Sequence, residues 1–104
     1  MVRHVIIWKL KEEIEDREAV KLGIKTALEG LAGKIPGMLS IKVHTEFLPS
    51  SNGDAMLETV FEDEASLKGY SVHPDHVKAA DTYVRPFTAL RLCADFDVPK
   101  EQAL

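Results

Sequence analysis

Tyr70, His73 and His76 are the residues of this sequence whose types and spacing best suit chemistry. They lie in the segment YSVHPDH, residues 70–76, at three-residue intervals, so one turn of helix can bring them to one side. An imidazole titrates near neutral pH and can remove or return a proton, and a nearby tyrosine hydroxyl can hold a substrate carbonyl. The segment therefore suggests an acid–base site in which His76 is the base and Tyr70 the orienting donor.

Two other interpretations of the same segment remain open. The histidines can belong to a helix start and form local hydrogen bonds, with Tyr70 packed in the core. His73, Asp75 and His76, together with His4, could instead bind zinc, because zinc sites use histidines one helical turn apart. However, the segment has no cysteine partner and no second anchored motif, and Asp75 points away from the side that His73 and His76 share. We therefore predict no bound metal and no cofactor.

Length and composition limit the class of protein. The 104 residues suffice for one domain, and the hydrophobic fraction of 45% is typical of a globular protein. The formal net charge of -4 argues against nucleic acid or an anionic membrane surface as a partner. Cys93 is the only cysteine, which excludes an internal disulfide and a cysteine-based structural zinc site, and we expect it to be a small buried residue. Without a signal peptide or membrane span, the chain is expected to be soluble and cytoplasmic.

Hydrophobic periodicity predicts the elements that must position the candidate residues. Strands are predicted at 2–11, 39–47, 55–62 and 86–96, one helix at 16–32, and a second helical region from 63 to 84 that is broken at Pro74. The order βαββαβ is typical of the ferredoxin-like α+β fold with an antiparallel sheet. We expect one domain at 1–98 and a polar tail without regular structure at 99–104.

The first strand places His4 on the same face as Ile6 and Trp8. His4 is therefore expected to point inward, with Ile6 and Trp8 lining any pocket beside it. A buried histidine needs a polar partner, because an unpaired one costs roughly 1–3 kcal/mol. We predict that the break in YSVHPDH brings Tyr70 and His76 toward His4 at one end of a cavity between sheet and helices. His73, directly before Pro74, is expected to cap the second part of the helix.

Three of the predicted strands carry apolar residues on both faces. These are Val5 and Ile7 against Ile6 and Trp8, then Met56 and Val60 against Leu57 and Phe61, and finally Phe87, Ala89 and Cys93 against Leu90, Leu92 and Phe96. The helices of a ferredoxin-like subunit cover one face of the sheet, so a contiguous apolar face would remain bare. A two-fold homodimer that packs the two bare faces together is the simplest closed solution. Scattered surface hydrophobic residues are the alternative.

Several segments resemble the stress-responsive dimeric α+β barrel (Dabb) family. They are RHVIIWKLK, IPGMLSIKV, VFEDEASLKGYSVHPDHVKAADTYVRPF and ADFDV, and the resemblance extends from Met1 to about Val98. It implies a ferredoxin-like subunit and a homodimer whose two sheets form one barrel. Most members have no assigned reaction. A plant polyketide cyclase of the family works without metal or organic cofactor, and its site residues resemble His4, Tyr70 and His76.

Two functions are consistent with these observations. The first is a dimeric barrel protein of unassigned activity with a pocket for a small organic ligand. The second is a cofactor-independent acid–base enzyme, polyketide cyclase-like or isomerase-like, that uses His76, Tyr70 and His4. A cavity shared by these three residues would favour the enzyme. Trp8 is bulkier than the aliphatic residue expected there in the cyclase, and a Trp8 that fills the space would favour the binding protein.

Overall fold

The computed structural model describes residues 1–103 and contains a single four-stranded sheet in which all neighbouring strands run antiparallel. The elements are β1 (Val2–Leu10), α1 (Arg17–Glu29), β2 (Met38–His44), β3 (Ala55–Phe61), α2 (Glu64–Val72), α3 (Pro74–Tyr83), a 3-10 turn (Arg85–Phe87), β4 (Thr88–Asp97) and α4 (Lys100–Ala103). The strand order is β2-β3-β1-β4. The predicted ferredoxin-like α+β subunit is confirmed.

Each helix of the covered face begins where the sequence supplies a cap. Asp16 accepts a hydrogen bond from the Ala19 backbone N–H at the start of α1, and Asp63 accepts one from Ser66 at the start of α2. Pro74 opens α3, and the preceding His73 caps it. The predicted break between α2 and α3 and the predicted capping role of His73 are thus both confirmed.

The core lies between the sheet and helices α1 to α3. On β1 the side chains of His4, Ile6, Trp8 and Leu10 point toward the helices and are each at most 5% exposed. From α1, Ile24 and Leu28 pack against the same cluster, as do Leu57 and Phe61 of β3 and Tyr70 of α2. Full burial of one such aliphatic or aromatic side chain stabilises the fold by roughly 1.5–3 kcal/mol.

The opposite face of the sheet, here called the open face, is largely uncovered. Ile7 of β1 pairs with Met56 of β3 on one side and Leu92 of β4 on the other, which makes an apolar row across three strands. The exposed fraction is 38% for Ile7, 58% for Leu92 and 46% for Phe96. The predicted division of apolar residues between two faces is therefore present in the subunit.

The prediction for β2 is partly wrong. The strand ends at His44 rather than Phe47, and a register shift between Met38 and Ser40 interrupts its alternation. Leu39 sits in this irregularity and is 38% exposed, whereas Met38 packs against the core. A bulge inserts one residue into a strand and moves the residues on either side of it to the opposite face.

Two further expectations are wrong at the end of the chain. Cys93 is exposed, because no helix covers β4, the edge strand of the sheet. The tail is not irregular throughout, since Lys100–Ala103 form a short helix. The Arg3 side chain donates hydrogen bonds to the carbonyls of Gln102 and Ala103, and this holds α4 beside the first residues of β1.

No helix within residues 1–103 is both long and apolar enough to cross a membrane.

Candidate functional site

A cavity of about 110 Å³ lies between the sheet and helices α2 and α3. Its wall contains the five residues that the sequence predicts for this cavity: His4, Ile6, Trp8, Tyr70 and His76. The remaining wall is formed by the apolar side chains of Leu28, Leu57, Leu67, Ala80 and Val84 and by Ser71, Arg85, Thr88 and Arg91. The wall is thus largely apolar, with a few polar groups gathered near Tyr70 and His76.

The helix break explains how Tyr70 and His76 reach the same cavity. Tyr70 belongs to the last turns of α2, and His76 to the first turn of α3. Between them Pro74 prevents a continuous helix, so the chain turns and both side chains point back toward the sheet. His73 is absent from the cavity wall and instead accepts a hydrogen bond from the Asp75 backbone N–H through Nδ1, at 3.1 Å.

The aromatic rings at the site are in close contact. The Tyr70 and His76 ring centroids are 4.0 Å apart with an interplanar angle of 34°. The His4 ring lies 6.1 Å from the Tyr70 ring in an edge-on arrangement, and Phe61 packs against Tyr70 at 5.2 Å. Tyr70 is only 1% exposed. These contacts fix the direction of the tyrosine ring and therefore of its hydroxyl group.

Two polar atoms of the site are buried without a hydrogen-bond partner among residues 1–103. They are the hydroxyl oxygen of Tyr70 and Nδ1 of His76. A buried polar atom without a partner costs roughly 1–3 kcal/mol, so most native structures pair such atoms with protein groups, water or ligands. Two of them in the wall of one cavity indicate a place where a polar ligand atom or a water molecule would be stabilised.

Burial shifts the pKa values of Tyr70 and His76 in opposite directions. Burial raises the pKa of the Tyr70 hydroxyl well above its usual value, and the charge of Arg91 offsets this only in part. Burial lowers the pKa of His76, and the neighbouring charges of Arg85, His4 and Arg91 lower it further, while the nearby polar backbone of Ser71 acts in the opposite direction. At neutral pH Tyr70 is therefore a protonated donor and His76 a neutral base.

Sequence reasoning missed the residues that lie beside His4 on β4. The antiparallel register places Asp95 directly opposite His4 and Cys93 opposite Ile6, with all four side chains on the helix side of the sheet. His4 Nδ1 donates a hydrogen bond to Asp95 Oδ1. The alternation of Arg91, Cys93 and Asp95 along β4 was the available signal, since these residues lie on the face that neighbours His4.

His4, Cys93 and Asp95 form the group of potential metal ligands found within residues 1–103. The Cys93 Sγ atom lies 3.7 Å from His4 Nδ1 and 3.6 Å from Asp95 Oδ1. Burial and the neighbouring Asp95 carboxylate raise the pKa of the Cys93 thiol. The zinc alternative considered above, with His73, Asp75 and His76 beside His4, does not correspond to any such group in the described part of the chain.

A larger groove of about 590 Å³ runs between α2 and β4 on the same side of the sheet. It shares His4, Leu67, Ser71 and Arg91 with the inner cavity, so these residues form the boundary between the two spaces. The outer part is lined by Val2, Glu64, Lys68, Cys93, Asp95, Phe96 and Asp97. His4 can therefore contact the groove through its Nδ1 edge and the inner cavity through the rest of its ring.

Solved structures share this fold. A dimeric protein of unknown function with a ferredoxin-like fold from Bacteroides fragilis is 26% identical, with a TM-score of 0.86 over 93% of this chain and 95% of that one. A dimeric ferredoxin-like protein of unknown function from Thermobifida fusca is 23% identical, with a TM-score of 0.78 over 93% and 90%. A hydroxynitrile lyase from Passiflora edulis is 15% identical, with a TM-score of 0.70 over 95% and 94%, a likeness of fold alone.

No curated protein matches the sequence. The family comparison is specific, however: the model of the stress-responsive A/B barrel domain matches residues 2–98, which include every strand, helices α1 to α3 and the whole wall of the inner cavity. The sequence segments that resemble this family, the ferredoxin-like topology and the match over nearly the full chain agree, and the chain belongs to the stress-responsive A/B barrel domain (Dabb) family.

Proposed function

We propose that the inner cavity binds a small organic molecule that carries a carbonyl or hydroxyl oxygen. The observation that carries this proposal is the pair of buried atoms without partners, Tyr70 Oη and His76 Nδ1, in one cavity wall. A ligand oxygen placed between them would accept a hydrogen bond from Tyr70. The apolar side chains of Ile6, Trp8 and Val84 would enclose its carbon skeleton.

The size of the cavity limits the ligand. An engineered cavity of about 150 Å³ holds benzene, so the present volume of about 110 Å³ suits a group with fewer carbons. Trp8 is 4% exposed and forms part of the wall without filling the space between His4, Tyr70 and His76. A longer ligand would extend past His4 into the groove.

The fluorescence of Trp8 can report ligand binding, because Trp8 is the only tryptophan of the chain and lines the cavity. Cyclopentanone, a small cyclic ketone, is expected to change the fluorescence of Trp8 in a saturable manner with a dissociation constant of about 1 mM, equivalent to about -4 kcal/mol. Tyr70→Phe and His76→Ala should each weaken this binding severalfold. His73→Ala is the matched control, since His73 caps α3 outside the cavity.

Cyclopentane provides the second control, because it has the same ring without the oxygen. If it binds as well as the ketone, or if the three variants bind the ketone alike, the polar pair does not select the ligand and the proposal is wrong.

A second function, acid–base catalysis, is favoured by the opposite pKa shifts of the stacked Tyr70 and His76 rings. Environments that separate two pKa values in this way are typical of acid–base pairs. His76 would remove a proton from the carbon next to a ligand carbonyl, and the Tyr70 hydroxyl would stabilise the enolate oxygen. The proton would then return from the His76 imidazolium to the same or another carbon, as an isomerase or a cyclase requires.

Deuterium exchange tests this without knowledge of the natural substrate. In D₂O the α-protons of cyclopentanone should exchange faster with the protein than with free imidazole at the same concentration, as seen by proton NMR. His76→Ala should remove the excess rate, Tyr70→Phe should reduce it, and His73→Ala should leave it unchanged. An exchange rate no higher than that of imidazole would exclude the catalytic function but not ligand binding.

We also propose that the chain forms a homodimer through its open face. The support is the exposed apolar row of Ile7, Leu92 and Phe96, together with related structures that are described as dimeric. Sedimentation velocity at micromolar concentration should give twice the mass of the chain. A stable species with the mass of one chain would contradict the proposal.

A further inference from the structure

We propose that His4, Cys93 and Asp95 bind a transition-metal cation such as zinc at the edge between the inner cavity and the groove. The three residues supply an imidazole nitrogen, a thiol sulfur and a carboxylate oxygen, and these atoms all lie within 4.8 Å of one another. Imidazole, thiolate and carboxylate are the three types of ligand that zinc sites combine. Nothing in the acid–base proposal uses Cys93 or Asp95.

The distances fit one shared cation. Zinc bonds of about 2.3 Å to sulfur and about 2.0–2.1 Å to nitrogen or oxygen place the sulfur about 3.6 Å from each of the other ligands in a tetrahedron. The observed separations from Cys93 Sγ are 3.7 Å to His4 Nδ1 and 3.6 Å to Asp95 Oδ1. His4 and Asp95 are hydrogen-bonded and closer than tetrahedral ligands, so the Asp95 carboxylate must move away by roughly 1 Å. This is feasible because the Asp95 side chain is 44% exposed.

The sheet holds the three ligands in place before any metal binds. His4 and Asp95 are direct partners on adjacent antiparallel strands, and Cys93 precedes Asp95 by two residues on the same face. His4 is buried and fixed by its contacts with Phe61 and Tyr70. Such cross-strand sites need little reorganisation, since the backbone spacing is set by the hydrogen bonds of the sheet.

The surroundings leave one coordination position open. All three ligands line the groove, so a cation would have its fourth position directed toward this space. Three protein ligands with an open position are typical of zinc sites that bind a water molecule or substrate, as opposed to closed structural sites. The groove is lined by three carboxylates, those of Glu64, Asp95 and Asp97, and by two cationic side chains, Lys68 and Arg91. The excess of negative charge favours a bound cation.

Cobalt(II) is the best probe, because its spectrum reports the ligand type. The intact chain, reduced and freed of metal, should bind one cobalt ion per chain and develop the charge-transfer absorption of a cobalt–thiolate bond. Cys93→Ser should abolish this band, and Asp95→Asn should weaken cobalt binding roughly tenfold or more. Asp97→Asn is the matched control, since Asp97 lies on the same strand and lines the same groove.

His4 is buried, so a His4→Gln variant is informative only if its thermal unfolding is still cooperative; it should then also lose cobalt affinity. Absence of the charge-transfer band in the wild type would overturn the proposal. So would a band that survives Asp95→Asn at full strength, because this would indicate an adduct of the thiol alone. Tyr70→Phe should bind cobalt normally, which separates failure of this site from failure of the ligand cavity.

Discussion

The two faces of the sheet are built from alternate residues of the same strands, yet they differ in the burial and pairing of their polar groups. On the covered face the Tyr70 hydroxyl and His76 Nδ1 are buried without partners beside a cavity. On the open face the main polar contact is an exposed pair in which His44 Nε2 lies 3.0 Å from Glu58 Oε2. Uncompensated polar burial is costly, and among the side chains of residues 1–103 it is confined to the covered face.

The two faces also differ in how far their apolar side chains are exposed. Ile24 and Leu57 of the covered core are at most 1% exposed, whereas Leu90, Leu92 and Phe96 of the open face are 46–58% exposed. The covered face has thus completed its burial within one chain, and the open face has not. This difference teaches that one strand can serve two purposes: β1 supplies cavity residues at even positions and the proposed dimer surface at odd positions.

The largest effect should come from removing core volume on the covered face. Ile24→Ala is expected to lower the free energy of unfolding by about 2–5 kcal/mol, because it leaves a cavity in a fully packed region. Leu92→Ala on the open face should cost less than about 1 kcal/mol in dilute protein, where subunits are separate. Urea unfolding of both variants measures the difference. Equal losses in dilute protein would mean that the open face is already buried within one chain.

The next effect concerns assembly. Leu92→Asp places a charge in the proposed dimer surface and is expected to raise the dimer dissociation constant at least roughly 100-fold, about 2.7 kcal/mol. Leu22→Asp is the control, because Leu22 is 63% exposed on α1, away from the open face. Sedimentation velocity across a concentration series distinguishes the two. Dimers that tolerate Leu92→Asp would place the interface elsewhere.

Much of the covered face could be predicted from sequence because its signals are local. Alternation placed His4, Ile6 and Trp8 on one side of β1, and Pro74 required a break between Tyr70 and His76. These are rules of backbone period and steric exclusion, and they act within a few residues. The convergence of five cavity residues followed from the family resemblance together with these rules.

What could not be predicted depends on register and coverage. The partners of His4 are Asp95 and Cys93, more than eighty residues away, and only the pairing of β1 with β4 brings them together. Burial of Cys93 was predicted from its apolar neighbours, but β4 is an edge strand without a helix over it. The irregularity at Leu39 likewise depends on how β2 pairs with β3. Such features are tertiary, and no local pattern specifies them.

A smaller effect tests whether the covered face truly holds an uncompensated hydroxyl. Tyr70→Phe removes the buried Oη and leaves the ring packing with Phe61 and His76 intact. Without ligand, the variant is expected to be as stable as the wild type or more stable by up to about 1 kcal/mol. Tyr83→Phe, at a half-exposed position, should change nothing. A loss of stability in Tyr70→Phe would show that the hydroxyl has a partner, and the contrast between the faces would weaken.

The smallest effect is a pH dependence that belongs to His76. Its pKa in the folded chain is lowered from 6.5, chiefly by burial, so the unfolded chain binds a proton more readily than the folded one. Well above pH 6.5 both states are neutral at this residue and it contributes no pH dependence. As the pH falls below 6.5, the unfolded state gains the proton first and stability declines, with a slope of at most about 1.4 kcal/mol per pH unit.

The groups that face His76 are Tyr70, His4, Arg85 and Arg91, and the three that carry positive charge when protonated all oppose its protonation. His76→Gln should therefore flatten the decline in stability as the pH falls through and below 6.5, measured by urea unfolding with a chelator present. His44→Gln is the matched control, because His44 lies on the open face beside Glu58 and away from the wall of the inner cavity. If His76→Gln leaves the slope unchanged, His76 accepts its proton in the folded state as readily as in the unfolded state. It would then lose the property that makes it a neutral base at the covered face, and the acid–base function would lose its support.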